Sequence, residues 1–190
     1  MEFSIKVGGA KLPFRMPTID ELSEQRKAAR QDDRRLKAIR KLARACCNDP
    51  DALAAILADR AGAYVAIGEA VLRACGMVGP IEVLEDEDVS EAQGRALVDC
   101  AAHGKLLAAR YSPPIGEPMD LVVRCFGDRE LEEYTRGSES VALCRQLCKR
   151  VLKLGSVEDI EARAPGLFVA LCEFLTEQTG ALIEVELGEA

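Results

Sequence analysis

A chain of 190 residues with 48% hydrophobic residues can form a folded core, which excludes an intrinsically disordered protein. Its net charge of −7 opposes binding along a nucleic-acid backbone, and an aromatic content of 4% favours helical packing over a β-sandwich. No apolar run reaches the roughly 18 residues of a membrane span, and the N-terminus lacks a signal-peptide pattern, so we expect a cytoplasmic protein.

The chain begins with the pattern of a β-hairpin followed by a helix. Residues 3–7 alternate between apolar and polar, a Gly-Gly pair turns the chain, and residues 12–16 return as a second strand. Thr18-Ile19-Asp20-Glu21 has the form of a capping box, which predicts a helix from this point to about Arg30.

The next helix is predicted to be basic, with Asp32 or Asp33 as its cap. One side is apolar and carries Leu36, Ile39, Leu42, Ala43 and Cys46. The remaining positions are mostly Lys and Arg, namely Arg34, Arg35, Lys37, Arg40, Lys41 and Arg44. Because no aromatic residues are interleaved with these charges, we interpret them as a solvated face or a docking face for an acidic partner, not as a nucleic-acid site.

Two further helices and a strand complete the first half. Asp49-Pro50 is a typical helix start, and Gly62 separates this helix from a more apolar one. The apolar helix ends at Gly76, which we expect to adopt a left-handed cap. A short strand at 80–84 then leads into the acidic run at 85–88.

Much of this first half recurs later in the chain. The stretch from Gly62, GAYVAIGEAV, aligns without a gap with GLFVALCEFL from Gly166. Equivalent residues outside this stretch are Arg15 and Arg124, Glu21 and Glu130, and the Ile-Glu-Val sequences at 81–83 and 183–185. The second copy is five residues shorter in the passage before Gly166. We infer a tandem duplication of one module.

The second half is predicted to repeat the hairpin and helices. Ser90-Glu91-Ala92-Gln93 is a second capping box and opens an extra helix that ends near His103. The other expected elements are strands at 106–111 and 119–125, helices at about 128–136, 139–154, 157–164 and 166–179, and a closing strand at Leu182–Glu186.

These elements predict an α+β, predominantly helical fold with two similar modules, at residues 1–85 and 86–190. Each module is a short β-hairpin with three or four helices and a closing strand, which gives each hairpin a third strand. The sequence leaves open whether the two sheets are separate or joined. Duplication also suggests a pseudo-twofold pair in which the repeated helix packs against its own copy.

Several residue pairs are candidates for chemical sites, and each also has a structural explanation. Cys144 and Cys148 have a spacing that can ligate metal, but with no CxxC motif we favour reduced core thiols for all eight cysteines. A thiolate pair of Cys125 with His103 is opposed by ordinary strand and helix-end positions. Phosphate-binding loops, nucleophile elbows and zinc-protease motifs are absent from the sequence, so we predict no cofactor and no enzyme activity.

Glu69 and Glu173 occupy equivalent positions in the repeated apolar helix. A paired-carboxylate site would require them to lie close together with one pKa raised. We favour the interpretation that both reach solvent or a neighbouring Arg or Lys.

The segment Phe14-Arg-Met-Pro-Thr-Ile-Asp-Glu-Leu22 resembles the tail assembly chaperones of tailed bacteriophages and prophages, and Leu147–Gly180 carries the likeness into the second copy. The resemblance implies a non-enzymatic protein that binds the tape measure protein and helps tail tube subunits polymerise around it. Many members have one module where this chain has two. A protein sequence also does not show whether a longer, frameshifted product exists, as is frequent in that family.

A chaperone of this kind requires an exposed apolar groove on a soluble, charged protein. Met16, Met77 and Met119 are candidates for lining such a groove, although Met at these positions is more often core. The alternative functions are a generic helical adaptor or regulator of phage or bacterial origin, and an enzyme with an unrecognised carboxylate or thiol site. The sequence leaves open the oligomeric state, including a homo-oligomer, and the partner-binding surface.

Overall fold

The computed structural model describes residues 1–77, 79–138 and 140–179, without the side chains of Asp32 and Asp33. The predicted closing strand Leu182–Glu186 lies outside the described residues. In chain order the described elements are β1 (Glu2–Val7), β2 (Ala10–Arg15), α1 (Ile19–Ala29), α2 (Asp32–Cys46), α3 (Pro50–Asp59), α4 (Ala63–Ala74), β3 (Ile81–Val83), α5 (Glu91–Asp99), β4 (Leu106–Tyr111), β5 (Met119–Arg124), α6 (Asp128–Gly137), α7 (Val141–Val151), β6 (Leu152–Leu154), α8 (Val157–Arg163) and α9 (Leu167–Gln178). The predicted helical α+β fold is confirmed.

The helix starts follow from local side-chain chemistry. Complete capping boxes open α1 at Thr18 and α5 at Ser90, and the Asp49 carboxylate caps α3. Gly76 ends α4 with φ of +86°, the left-handed conformation predicted for it. The predicted cap of α2 was wrong, because the helix already includes Asp32 and its N-cap is Gln31.

The strands form two separate sheets. The β1–β2 hairpin is one sheet, and the order β3-β4-β5-β6 makes the other. β3 follows the first set of helices in sequence, yet it pairs antiparallel with β4 of the second hairpin. The expectation of a third strand for the first hairpin is therefore wrong within the described residues, since the strand assigned to it completes the second sheet.

Two other differences from the prediction concern the end of α7 and the apolar side of α2. The predicted helix 139–154 stops at Val151, and Leu152–Leu154 pairs with β5 as β6. An open edge on β5 provides main-chain partners for these residues, and Gly155 with φ of +109° ends the strand. Leu36, expected on the buried side of α2, is instead 53% exposed.

Equivalent residues of the two sequence repeats make the same ion pair. Arg15 joins β2 to Glu21 of α1 at 2.6 Å, and Arg124 joins β5 to Glu130 of α6 at the same distance. The passage before Gly166, which is shorter than its counterpart in the first copy, contains two shorter helices, with 11 residues in α7 against 15 in α2, and 7 in α8 against 10 in α3.

The two repeats share one hydrophobic core. α1 packs against α7, and the Arg26 guanidinium donates to the Ser138 carbonyl at 3.0 Å. α4 and α9 meet end to end, because the Gly166 N–H donates to the Cys75 carbonyl at 2.7 Å. The repeated helix thus contacts its copy through its ends, which differs from the expected packing of one against the other.

Candidate functional site

A groove of about 630 Å³ runs between α1 and α2 on the first repeat. This volume lies within the range of protein binding sites. The groove is lined by Glu21, Glu24, Gln25 and Ala28 from α1 and by Arg34, Lys37, Ala38, Lys41, Leu42 and Ala45 from α2. We call it the α1–α2 groove.

The groove has an apolar floor between walls of opposite charge. Ala28, Ala38 and Leu42 form much of the floor, where small side chains leave space between the helices. Glutamates line the α1 wall, and Lys and Arg line the α2 wall. An occupant that fits both parts is an amphipathic helix with an apolar stripe and charged flanks.

Part of the charge in the groove is free to meet a partner. Lys41 bridges to Glu24 at 2.6 Å across the groove, but both side chains are well exposed and the pair is readily exchanged. Arg34 and Lys37 make no ion pair with any described residue. The α2 wall therefore presents cationic side chains to an incoming segment.

Arg15 holds the two walls in place. Its guanidinium donates to both carboxylate oxygens of Glu21 on α1, at 2.9 and 2.6 Å, and to the Ala45 carbonyl near the end of α2 at 2.9 Å. The hydrogen bond from Arg15, helped by the Thr18 cap, lowers the pKa of Glu21 to about 2. Glu21 is therefore ionised at neutral pH, and the base of the groove is fixed by a bidentate ion pair.

The second repeat has larger side chains at two positions equivalent to groove-lining residues. Leu147 stands where the first repeat has Ala38, and it is fully buried. Tyr134 replaces Gln25 and is 8% exposed. The two repeats therefore differ in the size of the residues at these positions.

The repeated glutamates both lie near arginine side chains. Glu69 is exposed and lines a smaller cleft with Arg26 and Arg35. Glu173 is half exposed and lies 3.5 Å from the Arg26 guanidinium. The proximity of Glu173 to an arginine agrees with the structural interpretation of these residues.

The cysteines lie mainly in the core. Six of the eight are buried, and Cys47 and Cys100 are half-buried. Cys144, Cys148 and Cys172 cluster between α7 and α9, with 3.8 Å between the sulfurs of Cys148 and Cys172. The hydrogen bond to Cys172 and burial raise the pKa of Cys144, so a thiolate is disfavoured there.

The proposed thiolate pair is likewise not supported by its surroundings. Burial raises the pKa of the Cys125 thiol, which opposes the ionisation that a nucleophile needs. The exposed His103 ring faces the Cys100 carbonyl at 3.2 Å. Within the described residues, no group of three or more His, Cys, Asp or Glu side chains is arranged to hold a metal ion.

The candidate methionines belong to the core. Met16 and Met119 are 8% and 6% exposed, and the half-buried Met77 packs against Gly166. The lining of the α1–α2 groove contains no methionine, and Met16 and Met119 have the core positions that the sequence analysis gave as the more frequent alternative. A sequence signal for this groove is the smaller residue of each pair in the repeat alignment, Gln25 against Tyr134 and Ala38 against Leu147.

Among the residues that the structure describes, no helix has the length and apolar content needed to cross a membrane. Comparison of the chain with protein-family models, curated proteins and solved structures gives no match.

Proposed function

We propose that this chain is a non-enzymatic assembly factor that holds an amphipathic helical segment of a partner protein in the α1–α2 groove. The observation that carries the proposal is the groove itself, with its floor of small apolar side chains between an acidic wall and a basic wall. A helix-in-groove contact of this kind keeps an aggregation-prone apolar stripe out of water without any bond being made or broken.

The resemblance to tail assembly chaperones names the partner class. The occupant would be a helical segment of a phage tape measure protein, and the complex would form in the host cytoplasm before tail tube subunits polymerise. A net charge of −7 supports this role, because it keeps a protein with an open apolar groove soluble.

The test is to look for a long helical protein of the tape measure class encoded beside the chain's gene and to co-express it with the chain. We expect the soluble fraction of that protein to rise and the two proteins to co-purify. The double variant Gln25→Tyr/Ala38→Leu fills the groove with the side chains that the second repeat carries, and should reduce co-purification at least tenfold.

A matched control is Ala54→Leu, which adds the same side chain to an exposed position on α3. It should capture the partner as well as the unmodified chain does. The proposal fails if the tail protein stays insoluble, or if the groove-filled variant binds it undiminished.

A further inference from the structure

One surface is buried in the second repeat and open in the first. Gly166, Leu167, Phe168 and Val169, at the start of α9, are all buried. Their counterparts at the start of α4 are Gly62, Ala63, Tyr64 and Val65, which are exposed or half-buried. Since the two helix starts descend from one sequence, the difference lies in what covers them.

The cover is supplied by the end of the first repeat. The Cys75 carbonyl accepts from the Gly166 N–H at 2.7 Å. A β-carbon on Gly166 would lie 2.9 Å from the Cys75 carbonyl oxygen and 2.7 Å from the Met77 nitrogen. The chain then continues into β3, which adds to the edge of β4. We call this two-part contact the internal junction.

The internal junction has two accepting surfaces, which are the start of α9 and the edge of β4. Their counterparts in the first repeat are the start of α4 and the edge of β1, and both are open among the described residues. No described atom lies within 4 Å of the position that a β-carbon on Gly62 would take. β1, the counterpart of β4, pairs with β2 alone among the described strands. An open strand edge is a template for another strand.

The ladder of the hairpin shows which main-chain groups of β1 face outwards. Pro13 has no N–H, so its pair with Ser4 exchanges no ladder hydrogen bonds. Hydrogen-bonded and non-hydrogen-bonded pairs alternate along an antiparallel ladder. The pair of Lys6 with Lys11 lies two residues along from the pair of Ser4 with Pro13, so it is also a non-hydrogen-bonded pair. The N–H and C=O of Lys6 therefore point away from β2, towards the open edge.

The sequence contains a segment suited to this edge. Ile183-Glu184-Val185 repeats Ile81-Glu82-Val83, the strand that β4 receives in the internal junction. There Glu82 lies opposite Arg110, and the hairpin alignment puts Lys6 at the position of Arg110. The same register would place Glu184 opposite Lys6, so the charges are complementary in both junctions.

An apolar cleft lies beside the same edge. It has a volume of about 220 Å³ and is bounded by Phe3 and Ile5 of β1, by Ala70 and Ala74 of α4, and by Ile115 of the β4–β5 loop. The register that faces Glu184 with Lys6 sets Val185 opposite Ile5. The apolar side chain of an added strand would therefore stand next to this cleft.

We propose that residues 180–186 of a second copy of this chain occupy the open edge of β1 and the Gly62 end of α4, so that copies associate head to tail. In the internal junction the last residue before the glycine, Cys75, bonds directly to Gly166. Thr179 is the equivalent residue at the end of α9, and its described hydrogen bonds stay within α9. Among the described residues, no hydrogen bond joins Thr179 to Gly62 as Cys75 is joined to Gly166, and in this proposal a second copy supplies that contact. Such an interface is heterologous, because it joins two different surfaces of the chain, and the number of associated copies therefore rises with concentration.

The test is the mass of the full chain in solution, measured by sedimentation over a wide range of concentration and without any tail protein. We expect the average mass to rise with concentration beyond that of a dimer. Gly62→Ala should weaken association at least tenfold, because the new methyl group would meet a second copy as a methyl on Gly166 meets Cys75. Its thermal stability should not change, since no described atom is nearby. If Gly62 serves only the folding of a single chain, Gly62→Ala would leave association unchanged.

Charge exchange tests the register. Lys6→Glu and Glu184→Lys should each weaken association, and the two changes combined in one chain should restore it. Ala38→Leu serves as a control that alters the α1–α2 groove and should leave association as it was, so the outcome is independent of the proposed function. The proposal is overturned by a chain that stays monomeric at every concentration, by undiminished association of Gly62→Ala, or by a double variant that is not restored.

Discussion

Ile39 of α2 occupies the space that a β-carbon on Gly68 of α4 would need, and its carbonyl oxygen lies 3.0 Å from that position. In the second repeat the equivalent residues are Cys148 and Cys172, whose sulfurs are 3.8 Å apart. The side chains at each helix crossing thus have complementary volumes. In the first repeat the large Ile39 side chain packs against a glycine, and in the second repeat two cysteine side chains of medium size pack against each other. The helices are held close in both repeats by different means.

We expect Gly68→Ala to destabilise the protein by about 1–3 kcal/mol, because the added methyl group overpacks the α2–α4 crossing. Gly94→Ala in α5 is the control, since no described atom lies within 4 Å of its new methyl group. It should be neutral or stabilising by up to about 1 kcal/mol through helix propensity. Urea unfolding measures both, and equal effects of the two substitutions would refute the packing argument.

The Arg15–Glu21 pair predicts a stability that falls in acid. Because the hydrogen bond from Arg15 lowers the pKa of Glu21 from 4.5 to about 2, the unfolded chain binds a proton at Glu21 more readily than the folded chain. The contribution is complete above about pH 5 and is lost as the pH falls towards about 2. With Arg15 38% exposed, solvent screening leaves about 1 kcal/mol at neutral pH.

Glu21→Gln should therefore be less stable than the unmodified chain near neutral pH, and the difference should shrink at about pH 3. Urea unfolding at several pH values checks this. Glu24→Gln, on the same helix with a side chain 66% exposed, should change little at any pH. A difference for Glu21→Gln that is the same at both ends of the range would show that ionisation is not its cause.

Thiol labelling should divide the cysteines into two classes. Cys47 and Cys100 are half-buried, whereas the other six are buried, and burial raises the pKa of Cys75 to about 12. We expect two thiols to react quickly with an aromatic disulfide reagent and the rest to react only on unfolding. Cys47→Ser/Cys100→Ser should abolish the fast phase, and a fast phase that survives would place a core thiol at the surface.

Tyr111→Phe should leave stability unchanged or raise it by up to about 1 kcal/mol. The Tyr111 hydroxyl is buried with no hydrogen-bond partner among the described residues, and burial raises its pKa to about 12. Removing it relieves an unsatisfied polar group. Tyr111→Leu, which also removes most of the ring, should cost about 2–4 kcal/mol. Thermal and urea unfolding measure both, and a large loss in Tyr111→Phe would show that the hydroxyl has a partner.

Features set by neighbouring residues were predictable from the sequence. The capping boxes at Thr18 and Ser90 act over four residues, and the Gly-Gly turn fixes its own hairpin. The duplication was equally accessible, because residues such as Glu21 and Glu130 stand at matching places in a long alignment. Such signals can be read without knowing which residues pack together in the folded protein.

Features that depend on distant partners were not predictable in this way. Leu152-Lys153-Leu154 fits a helix as well as a strand, and the open edge of β5 decides for the strand. The choice of β4 as the partner of β3 depends on how the two repeats are placed. The groove includes Gln25 and Ala38, which read as ordinary helix residues until they are compared with the larger Tyr134 and Leu147 of the second copy.

The position of β3 governs what happens when the backbone is cut. A break in the acidic stretch Glu85–Asp88 would leave β3 on the N-terminal fragment while its partner β4 remains on the C-terminal one. The four-stranded sheet would then be divided between the two fragments, and each fragment would expose surface that the other covers. The molecule is therefore suited to fragment complementation, in which two fragments that are incompletely folded when separate regain the native structure when they are mixed.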